Sequence, residues 1–410
     1  MSQPSLARRL GTGDAVVVGL AAMLGAGVFV AFAPAAEAAG SGLLVGLGIA
    51  AFVAFCNATA TAQLATVHPS SGGSYLFGRV VLGPWWGFLA GWGFVIGKTA
   101  SCAAMAMAAA AYALPGDDSA QRLVAAFIVV VFTAANLRGV TRTAALARGL
   151  LLVTMAVLVG FVVLAWSAGP TNEPDPLGVN GGVLGVLQAA GLLFFAFAGY
   201  ARIATLAEEV RRPEVLGRAI LIALGAAVVL YLAVALTLVG VLGDALPETP
   251  TPVAAATTAV GADWAEPLVR VGAIAASLGA LLALLAGVSR TTLAMARERD
   301  LPGWLDSVSE RHQVPDRAQL LVGAAVVSLV LLADLRGAIG FSSFGVLLYY
   351  FVANAAAFRQ PAAERRWPRA LQVVGAIACL MLVVTLPLGS VVTGAVVLAI
   401  GVVGRLIFTR

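Results

Sequence analysis

Lys98 is the only lysine among 25 basic residues, and it lies between Gly97 and Thr99 inside a long apolar stretch. Counted from Pro84, it falls about 20 Å along a helix rising 1.5 Å per residue, beyond easy reach of a headgroup layer. An ionisable group at that depth is expected to be functional. Three uses are open to it. It can load and release a proton, select the substrate side chain by repelling cations and pairing with an acid, or tie helices together through carbonyls and hydroxyls. A second charged group comprises Arg202, Glu208 and Glu209, next to Arg211 and Arg212. A cation in the first turn of a helix is unfavourable, so Arg202 is expected to pair with Asp14 or Glu209 as an inner gate or structural pair. Glu208 and Glu209 are expected in an ion-pair network that changes during gating. His68 and His312 fall in loops, which discounts histidine as the proton carrier. Cys56, Cys102 and Cys379 lie in apolar segments and read as buried thiols. Neither a metal nor a cofactor is expected.

The remaining chemistry is in the main chain. Two apolar segments break at their middles, around Met23, Gly25, Ala26 and Gly27 and again around Phe195, Ala196, Ala198, Gly199 and Tyr200. In hydrocarbon an unpaired N–H or C=O costs several kcal/mol, so a helix is interrupted only where it lines a cavity or is buried in protein. A broken helix exposes N–H groups at the start of one half and C=O groups at the end of the other, each end carrying roughly half a unit charge. The N–H groups around Gly25, Ala26 and Gly27 can hold a carboxylate, and the carbonyls of Phe195, Ala196 and Ala198 an ammonium. Glycine suits such a seat because a side chain would block close approach of the ligand. The ligand implied is a zwitterionic α-amino acid. Helix packing through small residues is the competing explanation of the glycines.

These segments must sit in membrane helices. The 410 residues are 60% hydrophobic and 11% charged, with mean hydropathy +0.97, the composition of an all-α integral membrane protein. About twelve spans are predicted, near 14–39, 42–67, 84–113, 123–137, 143–168, 182–208, 217–242, 265–295, 318–332, 337–358, 370–386 and 388–408. The loops holding residues 170–176 and 247–252 are expected to be short and ordered. With an even count both termini lie on one side. Arginine falls almost wholly on that side, only Arg122, Arg270 and Arg336 being opposite, so the termini are expected in the cytoplasm. Trp166, Trp264, Trp304 and Trp367 lie near the span ends as interfacial anchors. No signal peptide is expected: Arg8 and Arg9 precede a long first span. The net charge of +5 reflects this topology and implies no nucleic-acid partner. The first broken span leaves the cytoplasm and the sixth enters it, so the breaks are related by inverted topology. Residues 1–168 form one repeat of five spans, 169–358 a second, and 359–410 two further spans.

The flanking residues carry a resemblance. Gly25 to Phe29 is similar to the first-helix signature of the amino acid–polyamine–organocation (APC) permeases. Phe194 to Gly199, followed by Ala207 to Pro213 and Arg218 to Ile220, resembles that superfamily's sixth helix and the loop after it. Pro69 to Tyr75, with Gly83 to Trp92, resembles the second loop and third-helix entry, and Ser289 to Pro302 the end of the eighth helix. The resemblance implies a five-plus-five inverted repeat (LeuT-like) with discontinuous helices 1 and 6, and the same main-chain contacts to substrate. It also implies an aromatic lid at Phe195, with Phe197 and Tyr200 beside it. Some members carry a lysine on the fifth helix in place of a sodium ion. Residues 143–168 contain none, so that role would have to pass to Lys98. Sodium coupling would need hydroxyls on the eighth helix, where Ser277 is the only one before Ser289.

The reading is a non-enzymatic permease of the cytoplasmic membrane, monomer or weak dimer, that moves a neutral or acidic α-amino acid by alternating access with proton coupling. The alternatives are an uncoupled exchanger or exporter, and a membrane amino-acid sensor.

Overall fold

The computed structural model describes residues 11–68, 72–140, 144–169, 181–200, 202 and 215–408. Among these every regular element is helical, the arrangement that lets each backbone group bond within its own segment. Nine helices among the described residues are long and apolar enough to cross a bilayer, and Gly182–Phe197 and Arg369–Thr385 are shorter apolar helices.

The first expected span is in three pieces, α1 (Thr12–Met23), α2 (Gly27–Val30) and α3 (Phe32–Ala39). The interruption at Leu24–Ala26 is the anticipated one. A second, at Ala31, follows from Pro34, which has no N–H to offer the Val30 carbonyl. After them run α4 (Leu43–Val67), α5 (Gly73–Phe77), a π-helical turn (Gly78–Leu82), α6 (Pro84–Ala113), α7 (Asp118–Leu137) and α8 (Ala144–Ala168). Next come α9 (Gly182–Phe197), α10 (Val215–Leu242), α11 (Pro252–Ala259), α12 (Glu266–Arg297), α13 (Asp316–Leu332), α14 (Leu335–Arg359), α15 (Arg369–Thr385) and α16 (Leu388–Phe408).

Two helices start before the hydropathy suggests because a carboxylate caps them. Asp117 accepts from the Ala120 N–H at 2.9 Å and Asp334 from the Gly337 N–H at 2.9 Å. Pro252, expected to close a loop, instead opens α11, since a helix's first turn has no use for the missing N–H.

The two most buried spans, α6 and α14, pack on each other through small residues. A Cβ on Gly97 would lie 2.9 Å from the Ser342 carbonyl oxygen, and one on Gly93 2.8 Å from that of Gly345. The hydroxyls of Ser101 and Ser342 meet across this contact at 2.6 Å. Around that pair α1 packs on α10 and α8, α4 on α9 and α10, and α3 on α9. The lipid-facing flank falls to α7, α8 and α16. All three cysteines are free and buried.

At the end of the bundle where α12 and α16 finish, a buried ionic knot joins distant segments. Asp300, 1% exposed, accepts from the Tyr75 hydroxyl at 2.9 Å and from the Arg79 guanidinium at 3.1 Å. It meets Arg405 Nη2 at 2.8 Å. Arg79 also pairs with Glu298 at 2.8 Å, and Arg405 lies over the Trp85 and Phe88 rings. Burial raises the Asp300 carboxyl above its usual range, while Tyr75, Arg405 and Arg79 pull it back. The knot positions α5, the α12 end and α16; a buried ion pair is weak evidence for net stabilisation.

Candidate functional site

The two broken segments meet inside the protein. Met23, Ala26, Phe195, Ala196, Ala198 and Tyr200 are all buried. A Cβ built on Gly27 would lie 2.7 Å from Ala196 Cα, and one built on Gly199 2.6 Å from the Met23 nitrogen. The main chains therefore cross with no room for a side chain on either. This gives Gly27 a different physical reason from the one drawn from sequence, because the neighbouring atom is the other break and not a ligand. Gly25 faces α12, where a Cβ would be 3.0 Å from that of Ala280.

Main-chain pairing fails at both crossings. The Gly25 N–H turns back to the Met23 carbonyl at 2.8 Å, and the Ala26 N–H has no backbone acceptor among the described residues. The same holds for the N–H groups of Gly199 and Tyr200. Side chains satisfy several of the carbonyls. The single Tyr231 hydroxyl proton is shared between the Met23 carbonyl at 2.8 Å and the Ala196 carbonyl at 3.1 Å, bridging the two breaks. Tyr112 donates to the Phe29 carbonyl at 3.0 Å, beside the Pro34 kink.

Lys98 lies at the same place. Its Nζ donates to the Ala198 carbonyl at 3.1 Å, just past the C-terminus of α9, where the helix dipole favours a cation. Tyr350 reaches the same oxygen at 3.4 Å. One of the carbonyls assigned from sequence to a ligand's amino group is thus held here by an ammonium of the protein itself. Tyr200 stacks on Tyr350 with ring centroids 5.0 Å apart, and Phe197 meets Tyr231 edge-on at 5.0 Å. Beyond them Asn354 donates to Asn57 at 2.6 Å, and Cys379 to the same oxygen at 3.3 Å. Ser277 is fully buried on α12 and its hydroxyl has no partner among the described residues.

Of the sequence-derived candidates, Met23, Gly25, Ala26, Gly27, Lys98, Phe195, Ala196, Ala198 and Tyr200 lie in or beside the two breaks. Arg202 is exposed and its N–H returns to the Gly199 carbonyl at 3.0 Å. Asp14, one proposed partner for it, pairs with Arg148 at 2.6 Å. Glu208 and Glu209 lie outside the described residues, as does the 170–176 loop. Sequence reasoning missed Tyr231, Tyr350, Asn57 and Asn354. Tyr231 carried a usable signal: a tyrosine in mid-span, far from the interfacial belts, needs a buried partner for its hydroxyl.

The sequence model described as "Amino acid permease" matches residues 10–405. An uncharacterized transporter of Mycobacterium tuberculosis (strain ATCC 25618 / H37Rv) is 53% identical over 99% of this chain and 93% of its own. A branched-chain amino acid permease of Bacillus subtilis (strain 168) is 26% identical, covering 100% of this chain and 94% of that protein. A methylthioribose transporter of the same bacterium is 27% identical over 99% and 94%. With its apolar helices and the match running through nearly its whole length, the chain belongs to the amino acid permease family of multi-pass membrane transporters.

Proposed function

We propose that the protein is a secondary transporter that carries an α-amino acid across the cytoplasmic membrane by alternating access. The carrying observation is that α9 ends at Phe197 where it meets the interrupted first helix, and the N–H groups of Ala26, Gly199 and Tyr200 have no backbone partners among the described residues. Preorganised main-chain dipoles in a dry site can hold a zwitterion without a charged side chain. The substrate carboxylate sits on the main chain around Gly25, Ala26 and Gly27, and its amino group on the carbonyls of the second break. Phe195, next to those carbonyls, closes over the substrate.

In this reading Lys98 supplies the coupling. Its ammonium holds the Ala198 carbonyl at the edge of the site, leaving the Phe195 and Ala196 carbonyls to the substrate amino group. Lys98 takes its proton on the outer side, holds it while the substrate crosses, and releases the proton to the cytoplasm when the site opens inward. Reprotonation resets the site after release. A cation at this position disfavours cationic substrates, which leaves neutral amino acids as the main class and acidic ones as the alternative. The branched-chain specificity named for one relative supports the neutral class.

The architecture we assign is twelve spans as two inverted repeats, 1–168 and 169–358, followed by 359–410, with both termini in the cytoplasm. The moving body is the first, second, sixth and seventh spans. Their mutual packing, α1 on α10 and α4 on α9 and α10, supports that grouping. Arg202, with Glu208 and Glu209, forms the inner gate.

The test is uptake of labelled amino acids into proteoliposomes with an imposed proton gradient, a sodium gradient, or neither. Accumulation driven by the proton gradient is expected. Sodium-driven uptake would transfer coupling to a cation site near Ser277, and flux seen only against internal amino acid would make the protein an exchanger. Ligand-induced thermal stabilisation without any flux would overturn transport in favour of a sensor.

A further inference from the structure

A cavity of about 360 Å³ lies away from the two breaks, between the π-helical turn, the start of α6, the end of α14 and the start of α15. Its apolar wall includes Trp86, Phe358, Val373 and Ile377. These four are 39%, 39%, 41% and 62% exposed, so the cavity opens on the outer surface of the bundle beside α15. Its inner wall holds two amides, Asn354 and Gln372. Gln372 is fully buried, yet among the described residues neither its Oε1 nor its Nε2 has a partner, and Asn354 Oδ1 is also unpartnered there. Buried amide atoms in natural proteins are nearly always hydrogen-bonded, so orphaned ones point to a missing ligand.

The rim is positive. Arg359 lines the cavity, Arg365 and Arg366 follow in the connection to α15, where Glu364 is the only acid, and Arg369 opens α15 with its guanidinium over the Phe358 ring. None of these four arginines makes an ion pair among the described residues. Arg359 ends α14, and Gln372 is three residues into α15. At 1.5 Å per residue the amides therefore lie within about 10 Å of the helix ends, the depth of a lipid's glycerol and ester groups.

We infer that this cavity is a binding site for an anionic phospholipid. The phosphate rests on Arg359 and its neighbouring arginines. The glycerol and ester oxygens pair with the Gln372 and Asn354 amides, and the upper part of an acyl chain lies along Trp86, Val373 and Ile377. Basic residues at a membrane surface attract anionic lipid electrostatically. The unpaired amides and the apolar trough add what a diffuse basic patch lacks, a fixed seat with a defined depth.

The test is native mass spectrometry of the detergent-solubilised protein with phosphatidylglycerol or phosphatidylcholine of identical acyl chains at equal concentration. A phosphatidylglycerol adduct in at least several-fold excess is expected. Gln372→Leu and Arg359→Gln should each reduce it several-fold, and Ala376→Trp, which fills the cavity, should abolish it. Equal adducts from both lipids, or an adduct that survives Ala376→Trp, would overturn the site. Should Ala376→Trp fail to fold, the wild-type protein decides the matter with phosphatidylglycerol bearing a diazirine on its acyl chain. Crosslinks on residues 369–385 support the proposal; crosslinks confined elsewhere refute it. Glycerol 3-phosphate alone should not displace the lipid, and displacement would show a small-anion site without a chain groove. None of these variants touches the helix breaks, so transport activity reports independently on the proposed function.

Discussion

Gly199→Ala tests the crossing of the two broken helices directly. The added methyl would lie 2.6 Å from the Met23 nitrogen, with the Ala22 carbonyl closer still, so it falls about 0.8 Å short of the 3.4 Å at which ordinary contact begins. The obstructing atoms are backbone and cannot rotate away; the helices themselves must part. Overpacking of this kind costs about 1–3 kcal/mol, which corresponds to about a 5- to 140-fold shift away from the packed arrangement at 1.4 kcal/mol per decade. The neighbouring N–H and C=O groups move with the main chain, and a displacement near 1 Å at a binding constellation costs roughly a hundredfold in function. The assay pairs thermal unfolding in detergent with initial uptake rates in proteoliposomes. Gly149→Ala is the control, because a Cβ there meets nothing within 4 Å. A lower melting temperature with uptake reduced at least tenfold is expected for Gly199→Ala alone. Wild-type stability and uptake would refute the backbone-to-backbone contact.

Tyr231→Phe keeps the ring against Phe197 but leaves the Met23 and Ala196 carbonyls without their shared donor. It should destabilise the protein by about 1–3 kcal/mol in denaturant titration; an unchanged midpoint would show that the hydroxyl does not bridge the breaks. Lys98→Met should fold normally, since it removes a buried cation and keeps similar volume, while uptake loses its dependence on external pH. An unaltered pH profile would sink the coupling role. The Asp300 carboxyl is raised in the folded protein by burial. The stability it contributes is therefore present below the ordinary aspartate value of about 3.9 and lost as pH climbs through the raised value. The melting-temperature difference between wild type and Asp300→Asn should accordingly narrow from about pH 4 upward, and a widening gap would contradict the raised value.

Much of the fold was legible because hydrocarbon enforces it. Long apolar runs had to be helices, and the ends of α6 and α8 fell within a residue of expectation. Glycine clusters at residues 25–27 and near 199 marked breaks because glycine weakens a helix interior and lets main chains approach closely. The Ala31 kink was written in Pro34, yet a proline in a membrane helix does not always open the chain. The partners of the breaks were less legible. Lys98, Tyr231 and Tyr350 reach main-chain oxygens 100, 35 and 152 residues away in sequence, and no local pattern encodes such a pairing. Backbone acceptors carry no residue identity, so Ala198 gave no sign that it would receive a lysine. The close approach explained by Gly27 was likewise invisible, because its neighbour is Ala196 on the other broken helix.

The knot around Asp300 imposes an order on biosynthesis. Tyr75, Arg79 and Glu298 leave the ribosome before or alongside Asp300, whereas Arg405 follows about a hundred residues later. At about 5–20 residues per second, the carboxylate waits several seconds for its last cation. Until α16 docks, Asp300 and the aromatic faces of Trp85 and Phe88 lack their Arg405 contact. Chains cut short before Arg405 would carry that defect permanently.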